Sequence, residues 1–288
     1  MGSGRKMTGI SGGLLVALCL ASMAFAAEPG SDNLRLYVLD CGTIDPMDPA
    51  LFGLQADEIT GDGSFASPCY LVVHPNGTLM WDVGQVPDEQ IAGDGSTAIS
   101  DGILKATRKL STQLAALGFG MDDITYMAMS HYHADHTANA NAFANTSMWI
   151  VQQPEYDVMF AGDDVGILTP DSYQDLEFAK RLMLPSTDHD VFGDGSVVIK
   201  FAPGHTLGHQ MLFLDLPNYG PLLLSGDLWH LPEERSLDRV PTFDADGELT
   251  RRTRVKIEQF MKDNGAQMWI QHDPPTYAAL KKAPAYYD

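Results

Sequence analysis

Cysteine is scarce in this sequence, with three residues among 288. That is too few for a disulfide scaffold or a four-thiolate zinc cage. Basic residues are scarce as well: 18 Lys and Arg stand against 38 Asp and Glu, for a formal charge of −20. A field of that sign repels phosphate backbones, so nucleic acid is excluded as an expected partner. No apolar run reaches the roughly 20 residues a membrane-spanning helix needs, and no Pro- or Ser-rich stretch divides the chain. What remains is ordinary globular composition, 44% hydrophobic and 19% charged, in a chain long enough to bury a large core.

The first pattern present is a leader. Arg5 and Lys6, the apolar run from Leu14 to Leu20, and Ala24-Phe25-Ala26 read as a charged start, a short hydrophobic stretch and a small-residue cleavage site. Residues 1–26 are therefore expected to be a cleaved secretory signal. Residues 27–288 are expected to be a single exported domain, periplasmic or secreted, with no stable membrane insertion after cleavage. Leu18 before Cys19 is bulkier than the residue a lipoprotein signal carries there. Export would leave Cys41 and Cys69 in an oxidising compartment, where they can pair. The sequence equally allows Cys69 as a small buried residue and Cys41 as a loop residue.

Beyond the leader, short apolar runs alternate with helical patterns. Strands are expected at Leu34–Leu39, Tyr70–His74, Leu79–Asp82, Ile124–Met129, Met148–Val151, Val197–Ala202, Met211–Leu216, Leu222–Leu224 and Gln267–Gln271. Helices are expected at Ser100–Leu117, Asn139–Asn145, Asp171–Leu182 and Leu249–Asp263. This alternation predicts a layered mixed α/β domain. Residues 40–68 show little regular pattern and read as a long binding loop or lid.

The chemistry concentrates after the Ile124–Met129 run, where Ser130-His131-Tyr132-His133-Ala134-Asp135-His136 gathers four metal-ligand side chains. In extended chain, alternate residues point the same way, so His131 and His133 can share one ion. Asp135 and His136, as the chain turns into a helix, can reach a second. Imidazole and carboxylate are ligands that borderline divalent ions prefer. His205 in Pro203–His209, Asp227 in Ser225-Gly226-Asp227, and His272 each follow a predicted strand, where α/β folds gather functional groups. His209 reads as a supporting residue rather than a ligand. His74 and His189 show no site pattern and read as surface or loop residues.

Taken together, H-x-H-x-D-H at 131–136, G-H-T-x-G-H at 204–209, S-G-D at 225–227 and His272 resemble the metallo-β-lactamase superfamily. The resemblance covers nearly all of 27–288. It implies an α/β fold of the αβ/βα type, a four-layer sandwich of two mixed sheets with helices outside. It further implies two divalent metal ions, zinc by default, with iron, manganese or cobalt admitted. His131, His133 and His205 would hold one ion, and Asp135, His136 and His272 the other, with Asp227 bridging them.

Within that superfamily the chain is most similar to N-acyl homoserine lactonases, the quorum-quenching branch. The similarity rests on Cys69-Tyr70-Leu71-Val72, Asn139 to Phe143, Val151 to Tyr156, Pro203 to Gln210 and Gln271-His272-Asp273. Lactonases of this kind often carry a tyrosine three residues after the bridging aspartate, and here that residue is His230. The branch implies ring opening of an acyl lactone by hydroxide generated between the ions. Asp135 would shuttle the proton, and His230 would be either an oxyanion donor or a supporting residue. Met47, Leu51, Phe52, Leu54 and Phe65 offer an acyl-chain groove, and a homodimer is compatible with the branch. The rivals lack a match: dinuclear zinc β-lactamases carry cysteine where Asp227 stands, flavodiiron proteins carry Glu where His133 stands, and glyoxalase II-type thioesterases work in the cytosol. Retention of Asp135 disfavours a catalytically silent metal protein. The alternative reading is another exported hydrolase of this fold, acting on a different lactone or ester, a phosphotriester, a thioester or a β-lactam.

Overall fold

The computed structural model of the chain describes residues 1–2, 33–92, 97–99, 103–161 and 169–288. The expected leader lies outside the described residues from residue 3 onward, as does Ser100 at the start of an expected helix. The first sheet contains β1 (Arg35–Ile44), β2 (Phe65–His74), β3 (Gly77–Trp81), β4 (Thr97–Ile99), β5 (Leu104–Ala106), β6 (Tyr126–Ala128), β7 (Met148–Gln152) and β8 (Arg181–Leu184). The second contains β9 (His189–Asp190), β10 (Val197–Phe201), β11 (Gln210–Leu216), β12 (Gly220–Leu224) and β13 (Gln267–Trp269). A last strand, β14 (Tyr286–Tyr287), returns to pair with β1. The helices are α1 (Leu110–Ala116), α2 (Ala134–Thr137), α3 (Gln153–Phe160), α4 (Pro170–Tyr173), α5 (Pro232–Ser236), α6 (Gly247–Asn264) and α7 (Pro274–Ala279).

The order in the first sheet is β4-β5-β1-β2-β3-β6-β7-β8, antiparallel from β4 to β3 and parallel from β3 to β8. The second runs β13-β12-β11-β10-β9, with only the β12–β13 pair parallel. Side-chain alternation then sorts the core into layers. In β11, Leu212 and Leu214 face inward and meet Val38, Val72, Leu79 and Ile150 of the first sheet. Their neighbours Met211 and Phe213 face outward onto Ile257 and Met261 of α6. On the far side of the first sheet, Leu71, Met80 and Met127 pack against Leu110 and Leu114 of α1. The result is helix, sheet, sheet, helix, the four-layer sandwich. Among the described residues no helix is long and apolar enough to cross a membrane.

Three expected elements are different in the structure. Among the described residues of the helix expected over 100–117, Leu110–Ala116 alone is helical, while Leu104–Ala106 forms β5 on the end of β1. The cap explains the late start: the Asp88 carboxylate accepts from the backbone N–H groups of Leu110 and Ser111 at 2.7 and 2.8 Å, from 22 and 23 residues away. The helix expected over 171–182 breaks into α4, a 3-10 turn at Gln174–Phe178, and β8, which pairs in parallel with β7. Residues 139–145 hold a 3-10 turn at Ala140–Phe143.

The 40–68 segment is more ordered than expected, since β1 runs on to Ile44 and β2 begins at Phe65. Cys41 and Cys69 are disulfide-bonded across these strands, with Cα atoms 5.7 Å apart. His74 is not a surface residue: it is 5% exposed, stacks on Phe192, and sets Nε2 2.9 Å from Asp194 Oδ2. His189 is half-buried in β9. Replacing Cys41 and Cys69 together by serine should cost about 3 kcal/mol of unfolding free energy, given their sequence separation of 28. The check is a lower urea midpoint, with the slope unchanged or raised as the unfolded chain is released; an unmoved midpoint would show that the bridge adds nothing.

Candidate metal centre and substrate cavity

The expected ligands all lie just past strand ends, and the sandwich brings those ends together. After β6 the chain bends at Ser130 and again at Tyr132 and His133, and the first turn of α2 then swings Asp135 and His136 to the other side. His205 follows β10, Asp227 follows β12 and His272 follows β13. They form two groups: His131, His133, His205 and Asp227, and Asp135, His136, Asp227 and His272. In each, the ligand atoms lie within 4.8 Å of one another.

In the first group, His205 Nε2 is 3.2 Å from His131 Nε2 and 3.1 Å from His133 Nδ1. Asp227 Oδ2 is 3.5 Å from His205 Nε2 and 3.6 Å from His131 Nε2. In the second, Asp135 Oδ2 lies 3.3 Å from both His136 Nε2 and His272 Nε2. Asp227 Oδ1 lies 3.4 and 3.0 Å from the same two nitrogens. A tetrahedral ion with ligand bonds of 2.0–2.1 Å has edges of about 3.4 Å, so both sets match its spacing. His136 Nε2 and Asp227 Oδ1 are buried without a hydrogen-bond partner, a costly state that a cation would relieve. The donors present fit two divalent ions sharing Asp227.

Apart from His133, whose outer Nε2 is buried without a partner, the opposite ring nitrogens are also accounted for. His131 Nδ1 sits 3.0 Å from Ser130 Oγ, His205 Nδ1 2.9 Å from Asp244 Oδ1, and His272 Nδ1 2.8 Å from the Ala66 carbonyl. Such partners fix the ring orientation and leave the inner nitrogen free to ligate. Burial holds His131, His133 and His205 well below the usual imidazole range, with neighbouring imidazoles adding to the effect. They are neutral, the ligating form. Around His136 burial works the same way, but the carboxylates of Asp135, Asp227 and Asp82 outweigh it and push the ring up. Burial also opposes charge on Asp227, yet His272, His136, His230 and His131 hold it well below the usual carboxylate range.

Several supporting residues escaped the sequence reading. Asp82, at the end of β3 with φ +55°, accepts from the Ser130 N–H at 2.6 Å and from Gln271 Nε2 at 2.7 Å. Its Oδ2 also lies 3.0 Å from His136 Nδ1. Aspartate tolerates that left-handed conformation better than most residues. The available signal was an acid closing an apolar strand, the same signal that identified Asp227. Glu155 gave none. It accepts from the Tyr132 and Gly208 N–H groups and from Thr206 Oγ1, tying together the two loops that carry the first group. Gly208 is required there, because a Cβ would lie 2.4 Å from the Glu155 nitrogen. His209 belongs to neither group. Its Nδ1 faces the Ala202 carbonyl, and its Nε2 accepts from the Asp227 N–H at 2.9 Å.

Over the two groups lies a cavity of about 470 Å³ with an apolar wall. Met47, Leu51, Phe52 and Phe65 line it as expected. Leu54 does not: it is fully buried and packs in the cluster with Leu231. His230 reaches the wall with Nε2 3.2 Å from Asp227 Oδ2. Burial opposes charge on that ring, but Glu234 and Asp227 prevail and raise it to about 10.

A sandwich with this ligand set at one edge defines a class, and the comparisons agree. Residues 62–265 match the family model for the metallo-beta-lactamase superfamily, and the chain belongs to that superfamily. The N-acyl homoserine lactonase AttM of Rhizobium johnstonii is 31% identical over 266 residues, covering 88% of this chain and 99% of its own. A solved N-acyl homoserine lactone hydrolase, with N-hexanoyl-L-homoserine bound at its catalytic metal centre, superposes with a TM-score of 0.73. It is 23% identical, over 88% of this chain and 98% of that one. AidC, described as a dizinc quorum-quenching lactonase, superposes with a TM-score of 0.60 at 19% identity, over 88% and 94% of the chains.

Two ions per chain are expected by elemental analysis after reconstitution with excess zinc. Asp227→Ala, which removes the ligand common to both groups, should drop the content below one, and an unchanged count would refute the shared role.

Proposed function

We propose that this protein is an exported, dinuclear metal-dependent hydrolase that opens the lactone ring of N-acyl homoserine lactones. The observation that carries the reading is the pairing of two ligand groups joined at Asp227 with an apolar cavity directly above them. Lactonase relatives spanning nearly the whole chain support the substrate class. The leader pattern and the Cys41–Cys69 bridge support export.

His131, His133, His205 and Asp227 would hold one ion, and Asp135, His136, Asp227 and His272 the other, zinc by the nature of the donors. Bound there, the ions supply Lewis acidity and a water of lowered pKa. The remaining work falls to the chain. The Asp135 side chain is 16% exposed and lines the cavity, so its carboxylate can take the proton of the attacking water and return it to the departing ring oxygen. His230 presents Nε2 beside Asp227, where it can donate to the oxygen on which negative charge develops. Phe52, Phe65, Phe243 and Met47 exclude water and hold the acyl chain.

Asp135→Asn should lower kcat on an acyl-homoserine lactone by about 10²-fold in preparations shown to retain metal. Near-normal turnover at full loading would remove the shuttle role. A pH-indicator panel of acyl-homoserine lactones with short to long chains, a thioester, a cephalosporin and a phosphotriester tests the substrate class. The expected result is lactone opening with kcat/KM rising along the series, each buried methylene contributing up to about 0.8 kcal/mol. No lactone opening with clear turnover of another ester would overturn it.

A further inference from the structure

Among the residues lining the cavity, polar side chains outside the seven ligands are few: His230 and Thr169. Among the described residues these are the two side chains outside the ligand groups that can meet a polar substrate group. Only His230 stands at the centre, its Nε2 3.2 Å from Asp227 Oδ2. How that ring is held determines what it can do.

Three phenylalanine rings pack around His230, with centroids at 5.0 Å for Phe52, 5.7 Å for Phe243 and 6.5 Å for Phe65, and the imidazoles of His205 and His272 lie at 4.9 and 5.8 Å. These contacts confine the ring, but apolar packing alone does not choose which edge faces the cavity. Glu234 does. Its Oε1 accepts from the His230 backbone N–H at 3.2 Å and lies 3.1 Å from the ring Nδ1. Glu234 is held in turn by Arg254, whose Nη2 donates to Glu234 Oε2 at 2.8 Å. Arg254 also donates from Nε to the Leu228 carbonyl at 2.8 Å and from Nη1 to the Arg239 carbonyl. The guanidinium thus grips both the acid behind the ring and the backbone between Asp227 and His230. Both charged side chains are buried, at 0% and 5% exposure.

A buried Glu–Arg pair gives up hydration that its mutual attraction does not reliably restore, so it is a poor device for stability. It is an effective one for orientation, because the planar guanidinium is fixed by three acceptors and the carboxylate spends one oxygen on Arg254 and the other on His230. We propose that Glu234, fixed by Arg254, is a positioning residue for the reaction: it binds the Nδ1 edge of His230 so that Nε2 faces the substrate cavity beside Asp227. This rests on the lactonase reading and adds to it the residues that make an imidazole serviceable at that place.

The test uses the zinc-loaded protein with N-hexanoyl-homoserine lactone. Glu234→Gln should lower kcat about 10- to 100-fold with KM little changed, the usual scale for an orienting partner. His230→Ala should do at least as much. In the His230→Ala background, Glu234→Gln should cost nothing further; losses that multiply would show that Glu234 acts independently of the ring, and would overturn the proposal. A second readout does not depend on turnover. With ¹⁵N-labelled histidine, Glu234→Gln should shift the His230 ring nitrogens and abolish its protected Nδ1 proton signal, whereas an unmoved His230 signature would overturn the assignment. Should Glu234→Gln fail to fold, Arg254→Lys carries the same cycle, since it keeps a cation but loses the fork. Absence of lactone opening in the unmodified protein would remove the substrate reading alone, because the nitrogen signature still decides how His230 is held.

Discussion

Asp227 is a carboxylate shut away from water with five imidazoles turned toward it, an arrangement that leaves its Oδ1 and the facing His136 Nε2 without hydrogen-bond partners. One oxygen faces His131, His205 and His230, the other faces His136 and His272. The fold around it keeps those directions apart. Its backbone N–H is tied down by His209, and the flanking Ser225 hydroxyl accepts from Gln271 two residues beyond β13. The parallel β12–β13 pairing therefore sets the distance between the bridging acid and His272. Asp82 performs the equivalent task across the interface between the sheets, linking the ends of β3, β6 and β13 through Ser130, His136 and Gln271.

The ligands were legible in the sequence because each is announced locally. H-x-H-x-D-H directly follows an apolar run, and His205, Asp227 and His272 each close one. The layered architecture was legible for the same reason, since period-2 runs such as Met211–Leu216 carry their two faces in their own residues. What was not legible depends on partners distant in sequence. The start of α1 is set by Asp88, and β5 exists because Thr43 and Ile44 offer it an edge. The β8 segment has helix-like spacing but is captured by β7. Glu155 and Glu234 look like helix-surface acids until folding turns them inward. Leu54 shares the composition of the groove residues and differs only in which way the loop turns it.

The two halves of the active region are built on different principles. The metal side is crowded with charge and hydrogen bonds, and nearly every ring nitrogen not facing the centre has a fixed partner. The cavity side is apolar, its wall drawn from the ends of β1, β2 and β5 and the segments between them, and it rests on Phe52, Phe65 and Leu231. A floor of charged, hydrogen-bonded groups beneath an apolar wall can fix a polar reacting group while asking little of the apolar part attached to it. His230 stands where the two meet, ringed by phenylalanines on one side and anchored to a buried ion pair on the other.

The ligands come from four stretches spread between residues 131 and 272, one in the first sheet and three in the second. No partial fold contains a complete set, and His131 meets His205 only when the sheets have closed face to face. The centre is thus a product of long-range contacts, which form late because the intervening chain must first be closed into loops. Full coordination of an ion is therefore available only to a nearly finished molecule, although the 131–136 stretch carries four of the seven ligands together from the start.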